Sequence, residues 1–344
     1  MKKILEKLCG AFGTTGLEGG VCELIENEIS QSMPKNAEII RDNLGGVCLH
    51  IKNEGKQKLM ICAHMDEVGF MVTGICEDGL LKFGTVGGIN PLVLCSKRLV
   101  SENGIYGVIT SKPPHLLRGE ERKRRTEICD MRISIGATCK ADAEKYVKVG
   151  EAFTFADTDF KIVENCVVSK ALDDRHGCAS MLYAIKELVK NEDTSPYDLY
   201  FAFTTREEIG VSGALCMAEI IKPDMAIVIE SKAVLDLPGV GEDRQVGALG
   251  EGALISYADL GAIMDRELTE KLISVCERNG IKYQINRAVA GGNDSASIQK
   301  SASGARVSLM SAPSRYIHSS ASVIDYRDFE AICKAVYNFV REEK

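Results

Sequence analysis

With 45% hydrophobic and 26% charged residues, a chain of 344 residues has ample material for a buried core, as one large domain or two modest ones. A formal charge of −7 argues against nucleic acid or an anionic membrane as a partner. The apolar runs are too short to span a bilayer, and the start Met1-Lys2-Lys3-Ile4-Leu5-Glu6 lacks a signal-peptide hydrophobic region, so a cytoplasmic protein is expected.

In chain order, Ile4, Leu5 and Leu8 fall at helical spacing within residues 3–12, and Gly13-Thr14-Thr15-Gly16 ends that helix. A second amphipathic helix carries Val21, Leu24, Ile25 and Ile29 and closes before Pro34. Short strands are predicted over 37–41, 46–51 and 59–63, the last breaking into His64-Met65-Asp66. From about 68 to 160 the texture changes to short β-type runs broken by turns such as Glu77-Asp78-Gly79, Val86-Gly87-Gly88 and Glu102-Asn103-Gly104. It has no long helical period. This segment therefore reads as a small, barrel-like all-β module at 68–160, inserted into an α/β domain made of residues 1–67 and 161–344. Inside it, the charged run 118–125 is expected to form a solvated, mobile surface loop.

After Asn165 strands and helices alternate again. Strands are predicted at Val167-Val168, 200–204, 225–229 and, as the last one, 306–311. Helices are predicted around Met181, Leu182, Ile185 and Leu188, then over 214–221, 268–276 and 328–340. Thirteen cysteines are scattered without a Cys-x-x-Cys pair, and Cys62, Cys178, Cys216 and Cys333 sit in apolar runs, which predicts reduced, buried thiols.

Several strands end in residues of metal-ligand type. Met60-Ile61-Cys62 leads to His64, Phe201-Ala202-Phe203 to Glu207-Glu208, and Ile227-Val228-Ile229 to Glu230. Val307-Ser308-Leu309-Met310 leads through Pro313 to His318, and Asp173-Asp174 opens the helix after another strand. In open α/β sheets, ligands sit at the carboxyl ends of the strands. Singly, each element has a structural explanation: His-x-Asp as a hydrogen-bonded pair, Glu207-Glu208 at a helix N-terminus, Asp173-Asp174 as an N-cap. His50 and His176 read first as structural, and His115 has no assigned role. Together on one sheet edge, so many carboxylates repel one another unless cations neutralise them. The donor mix suits zinc, cobalt or manganese better than calcium. It exceeds what one tetrahedral ion needs and fits two ions sharing a carboxylate, an arrangement for hydrolysing amide or phosphate bonds. Because side chains alternate along a strand, Glu207 and Glu208 are expected to face opposite ways.

The ordered motifs Ala63-His64-Met65-Asp66-Glu67-Val68-Gly69, Lys112-Pro113-Pro114-His115, Lys170-Ala171-Leu172-Asp173-Asp174-Arg175, Glu207-Glu208-Ile209-Gly210, Gly291-Gly292-Asn293-Asp294 and Arg315-Tyr316-Ile317-His318-Ser319 carry a family likeness. In combination they resemble the tetrahedral (TET-type) metallo-aminopeptidases, which include glutamyl and deblocking aminopeptidases and some members labelled endoglucanase. The resemblance runs from the N-terminal helix to the C-terminal one. It implies an α/β fold, the mixed-sheet co-catalytic zinc-peptidase domain, whose inserted module builds dimers and whose dimers build a hollow dodecamer. It implies two divalent ions, Zn2+ or Co2+ with Mn2+ as a third candidate. His64 and Glu230 would hold one, Glu208 and His318 the other, and Asp173 would bridge both. Glu207 would be the general base, Asp66 would support His64, and Asp174 would follow Asp173 across a strained cis peptide. Gly292, Asp294 and Arg315 are the candidates for substrate contact.

Some positions depart from the family pattern. Glu230 stands where many relatives have Asp, Ser231-Lys232 replaces paired threonines, Asn293 replaces Thr, and His176 takes an aliphatic position. These bear on substrate preference more than on the metals. The expected activity is removal of N-terminal residues from short peptides by an aminopeptidase, with the preferred residue open among acidic, aliphatic and basic. The alternatives are a deacylase or carboxypeptidase on the same scaffold, a glycosidase and a non-catalytic scaffold. The glycosidase needs two carboxylates about 5–10 Å apart working without metal. A scaffold would need the ligands but not Glu207.

Overall fold

The computed structural model describes residues 1–119, 124–156 and 160–342. Two helices open the chain, α1 (Lys2–Gly10) and α2 (Gly19–Ser30), each burying one stripe: Leu5, Leu8 and Cys9 in the first, Val21, Ile25 and Ile29 in the second. Strands β1 (Ala37–Arg41), β2 (Val47–Ile51) and β3 (Lys58–His64) follow. On β3, Leu59, Ile61 and Ala63 enter one apolar cluster while Met60 and Cys62 enter another. A strand apolar on both sides belongs in the middle of a sheet covered by helices on both faces.

The chain then leaves the sheet for the inserted barrel. Strands β4 (Gly69–Ile75), β5 (Leu81–Val86), β6 (Arg98–Ser101), β7 (Tyr106–Thr110) and β8 (Arg132–Ser134) are followed by one helical turn, α3 (Lys140–Ala143), and by β9 (Ala152–Phe155). They close in the order β4-β5-β8-β7-β6-β9. Closure removes the unpaired edges that a six-stranded open sheet would expose. Alternate residues fill the interior, where Phe70 meets Phe83 and Phe155 edge-on at centroid distances of 5.6 and 5.3 Å. Of the charged run 118–125, residues 120–123 lie outside the described residues; Arg118, Arg124 and Arg125 are exposed.

Strands β10 (Lys161–Val163) and β11 (Cys166–Ser169) return the chain to the sheet. Then come α4 (Leu172–Lys190), β12 (Asp198–Thr204), α5 (Ser212–Ile221), β13 (Met225–Ala233), β14 (Ala253–Ser256) and α6 (Arg266–Arg278). β15 (Tyr283–Ile285), α7 (Ser295–Ile298), β16 (Arg306–Arg315), β17 (Ser322–Asp325) and α8 (Tyr326–Arg341) complete it. The sheet is mixed, with eleven strands among the described residues, in the order β1-β2-β12-β3-β13-β16-β17-β11-β10 and with β14 and β15 branching off β16. Its centre, β12-β3-β13-β16, is parallel, and antiparallel strands flank it. Helices α1, α2, α4, α6 and α8 cover one face, α5 and α7 the other. The last strand is β17 rather than 306–311. Its four residues, like the three of β10 and β15, are too few for a period-two pattern to register.

A buried ionic knot joins the sheet to the barrel. Glu67 accepts from Lys170 Nζ at 2.7 and 2.8 Å and from Thr154 Oγ1 of β9 at 2.9 Å, with Arg175 Nη2 at 3.6 Å. Such a pair adds little net stability, but removing one partner typically costs about 3–5 kcal/mol. It acts as a geometric lock. All thirteen cysteines are free; Cys62, Cys178 and Cys333 are buried as expected, whereas Cys216 is half-buried. No helix among the described residues is long and apolar enough to cross a membrane.

Candidate active site

The carboxyl ends of β3, β12, β13 and β16 converge with the start of α4. His64 is the last residue of β3, Glu230 lies near the end of β13, and Asp173 and Asp174 open α4 across a cis peptide. His318 follows β16 by three residues. The loops are bent at left-handed non-glycine residues: Ala171 (φ 53°) before the aspartates, Arg206 (φ 57°) before the glutamates, and His318 itself (φ 56°). Each such residue costs on the order of 1–3 kcal/mol, and such strain clusters at functional sites.

Two groups of donors result. Ligand atoms of His64, Asp174 and Glu230 lie within 4.8 Å of one another, as do those of Asp173, Glu208 and His318. Asp173 joins the groups: its Oδ1 is 3.4 Å from His64 Nε2 and its Oδ2 is 3.4 Å from His318 Nε2. Glu230 Oε1 stands 3.5 Å from His64 Nε2, and Glu208 Oε1 3.4 Å from His318 Nε2. Donors about 2.0–2.1 Å from a tetrahedral ion stand roughly 3.3–3.4 Å apart, so these spacings match the edges of such a coordination shell. Asp173 Oδ1 and Asp174 Oδ2 are buried acceptors without a hydrogen-bond donor. Native interiors rarely leave such atoms unpaired, and a cation satisfies them. The donor set therefore fits two divalent ions.

Electrostatics agree. Burial, then the field of Glu230, pushes the Glu207 carboxyl up to about 11. Burial, then Asp173, raises Glu230 to about 8 and Glu208 to about 7. Burial lowers His318, but contacts with Asp173 and Glu208 override it and bring the imidazole to about 9. Burial also opposes the charge on Asp173, which the two histidines nevertheless hold well below the ordinary carboxylate range. Groups that retain protons near neutrality in this way are short of positive charge, which metal supplies as protons leave.

Asp66 organises the centre without being a member of either group of donors. Its carboxylate faces His64 Nδ1 at 3.3 Å and accepts the backbone N–H of Glu207 at 3.0 Å, that of Glu208 at 3.2 Å, and the Thr15 hydroxyl at 2.8 Å. Strand alternation does not govern Glu207 and Glu208. They lie beyond β12 in a turn, and both line one cleft of about 510 Å³. What separates them is their neighbours: Glu207 feels Glu230 most, Glu208 feels Asp173 most.

The three candidates for substrate contact fare differently. Gly292 lines the cleft. Asp294 is buried beneath it, accepting from Thr204 Oγ1 at 2.7 Å. Arg315 is engaged by Asp236 through Nε at 2.7 Å and Nη2 at 2.8 Å. His176 is fully buried behind the first group, its Nε2 3.0 Å from Ser231 Oγ and 3.1 Å from Asp174 Oδ1. Burial pushes it down to about 4, so it is a neutral orienting group. His50 is structural, held between Glu38 and Asp198 and stacked on Tyr200. Two contributors were not among the candidate site residues: the Gly87 and Gly88 turn, read only as a turn of the β module, and Lys232, read only as a departure from the family pattern. A larger groove of about 810 Å³, lined by residues such as Met33, Asn53 and Tyr197, shares none of this chemistry.

Residues 45–334 match the family described as M42 glutamyl aminopeptidase. The chain belongs to the M42 peptidase family. It is similar to the TET aminopeptidase of the marine sediment archaeon Thaumarchaeota archaeon SCGC AB-539-E09, with 31% identity, 99% of this chain and 96% of that one covered, and a TM-score of 0.95. The TET1 peptidase of Pyrococcus horikoshii, described as assembling into a tetrahedron or a large octahedral shell, is 33% identical over 99% of both chains, with a TM-score of 0.85. The lysyl aminopeptidase of Pyrococcus furiosus is 28% identical over 100% of this chain and 96% of its own. Family and paired donor groups together make this chain a di-metal aminopeptidase.

Proposed function

We propose that His64 and Glu230 hold one ion, that Glu208 and His318 hold the other, and that Asp173 bridges them. The observation that carries this assignment is the pair of 3.4 Å contacts from the two Asp173 oxygens to the two histidines. Asp174 shares the first group but has its Oδ1 committed to His176 and the Gly177 N–H, which suits it to orienting. Zinc or cobalt fits the donors best, with manganese next. Such ions polarise the scissile carbonyl and lower the pKa of water.

Glu207 then takes the proton of the attacking water and returns it to the leaving amine. Asp66 fixes the His64 ring and the backbone that carries Glu207 and Glu208. The substrate's free α-amine docks among the acids beside Glu230, which selects N-terminal cleavage. The test is a panel of aminoacyl-anilides and N-acylated amino acids assayed with each metal after chelation. Turnover of anilides alone supports the reading; turnover of the acylated compounds alone would make the enzyme a deacylase.

The division into residues 1–67 with 161–344 and the insertion 68–160 belongs to the same proposal, with the barrel as the dimerising module. The barrel exposes Leu92, Tyr106 and Val149, and the Pyrococcus horikoshii relative is described as able to assemble into a tetrahedron or a large octahedral shell. Dimers building a dodecamer would confine a cytoplasmic enzyme to short peptides. A stable, active monomer over a wide concentration range in sedimentation would overturn this assembly.

A further inference from the structure

Lys232 lies two residues beyond Glu230 on β13, so both side chains leave the same face of the strand and both line the cleft. The other charged groups lining that cleft are Asp173, Glu207, Glu208, Glu230 and His318, all occupied by the metals and the proton transfer proposed above. Lys232 has no such task. Its half-buried ammonium donates to the Ala290 carbonyl and has no carboxylate within ion-pair distance among the described residues. The fields of Asp259 and then Glu230 reach it, yet the Asp259 carboxylate is taken up by the N–H groups of Gly261 and Ala262 and by Asn293, each at 2.7 Å, and Glu230 is the ligand proposed for the ion at His64. An ammonium has three donors, and one is used here.

The surroundings leave room for a partner. Gly291 adopts φ +73°, and a Cβ at that position would come within 3.3 Å of Lys232 Nζ. The cleft lining also includes the apolar side chains of Leu235, Val246 and Leu309, and an apolar wall strengthens a charge pair formed against it.

We propose that Lys232 is the specificity residue for an acidic N-terminal residue, its ammonium pairing with the substrate's side-chain carboxylate. The inference rests on the aminopeptidase reading of the site. A basic side chain in the same position meets like charge and is rejected. An aliphatic one leaves the ammonium without an anion.

The metal-loaded enzyme is assayed on glutamyl-, aspartyl-, leucyl- and lysyl-p-nitroanilide. The acidic anilides should lead in kcat/KM, with the lysyl substrate poorest. Lys232→Ala should lower the glutamyl-to-leucyl ratio by roughly 10–100-fold, chiefly through KM. Lys232→Arg should keep the acidic preference, and Lys232→Glu should move it towards lysyl-anilide. The proposal is overturned if the unmodified enzyme prefers leucyl or lysyl substrate, or if Lys232→Ala leaves the glutamyl-to-leucyl ratio unaltered. Absence of turnover on every anilide with every metal would instead overturn the aminopeptidase reading beneath it.

Discussion

The carbonyl of Gly88, in the barrel turn after β5, accepts the Nδ1–H of His318 at 2.7 Å across 230 positions of sequence. A carbonyl only accepts, so the proton sits on Nδ1 and the Nε2 lone pair is left for the group that contains Asp173 and Glu208. The insertion thus sets the tautomer of a metal-type histidine without supplying a ligand. Partners of this kind are typically worth 10–100-fold in metal affinity.

Displacing that turn should weaken one ion selectively. Gly87 has φ +82°, and a Cβ there would lie 2.8 Å from Val68 Cγ1 and 3.3 Å from Glu208 Oε2. Gly87→Ala should lower affinity for the ion at His318 by roughly 10–100-fold and leave the ion at His64 bound. Gly88→Ala meets the His318 ring only at 3.6 Å and should bind both ions normally. Titration calorimetry of the chelated proteins compares them; equal two-ion binding in both would remove the turn from the site.

Adjacent glutamates should separate into base and ligand. Glu207→Gln keeps the shape and removes the proton acceptor. It should retain both ions and lose about 10²–10⁴ in turnover. Glu208→Gln should release one ion and regain part of its activity at high metal concentration. Metal content and kcat, measured side by side, decide it. Loss of metal by Glu207→Gln, with two ions kept by an inactive Glu208→Gln, would reverse the roles.

Asp66→Asn tests the centre of the arrangement. The carboxylate receives N–H groups from Glu207 and Glu208, and an amide turns one acceptor into a donor facing them. Leaving such a buried donor unmatched costs roughly 1–3 kcal/mol. The variant should unfold at a lower temperature and bind the ion at His64 more weakly. Unchanged metal affinity would show that Asp66 does not orient that histidine.

Stability without metal should fall with rising pH. Glu208 and Glu230 have folded values of about 7 and 8 against an ordinary 4.5, and His318 about 9 against 6.5. Raised folded values mean that the native state binds protons the unfolded chain has released, so these three groups lose stability between about pH 4.5 and 9, and Glu207, raised to about 11, carries the loss further. Asp173, held low, acts outside this window. Bound metal replaces those protons. The gap in melting temperature between metal-loaded and chelated protein should therefore widen from about pH 5 to about pH 8; a constant gap would contradict the assigned ligands.

Much of this was legible before the fold. The apolar runs ending at His64 and Glu230 announced buried strands with polar tips, because a two-faced strand can only lie inside a sheet. The unbroken turn-rich texture announced the barrel. Where local periodicity ended, legibility ended too. Glu207 and Glu208 were read by strand alternation although they lie past the strand, in a turn bent at Arg206. Arg315 looked available to substrate until the fold brought Asp236 to it. Lys232 registered only as a departure from the family, because nothing nearby in sequence says that its strand face opens onto the cleft.

The sequence by itself determined which residue types stand at the strand ends, and hence that cations must neutralise them. Only the tertiary structure decided that Asp173 spans both histidines, that Gly88 orients His318 from another module, and that Lys232 faces the cleft with no carboxylate at ion-pair distance among the described residues. Each of these joins residues distant in the chain, through hydrogen-bond and Coulomb contacts that exist only once strand order and loop direction are set.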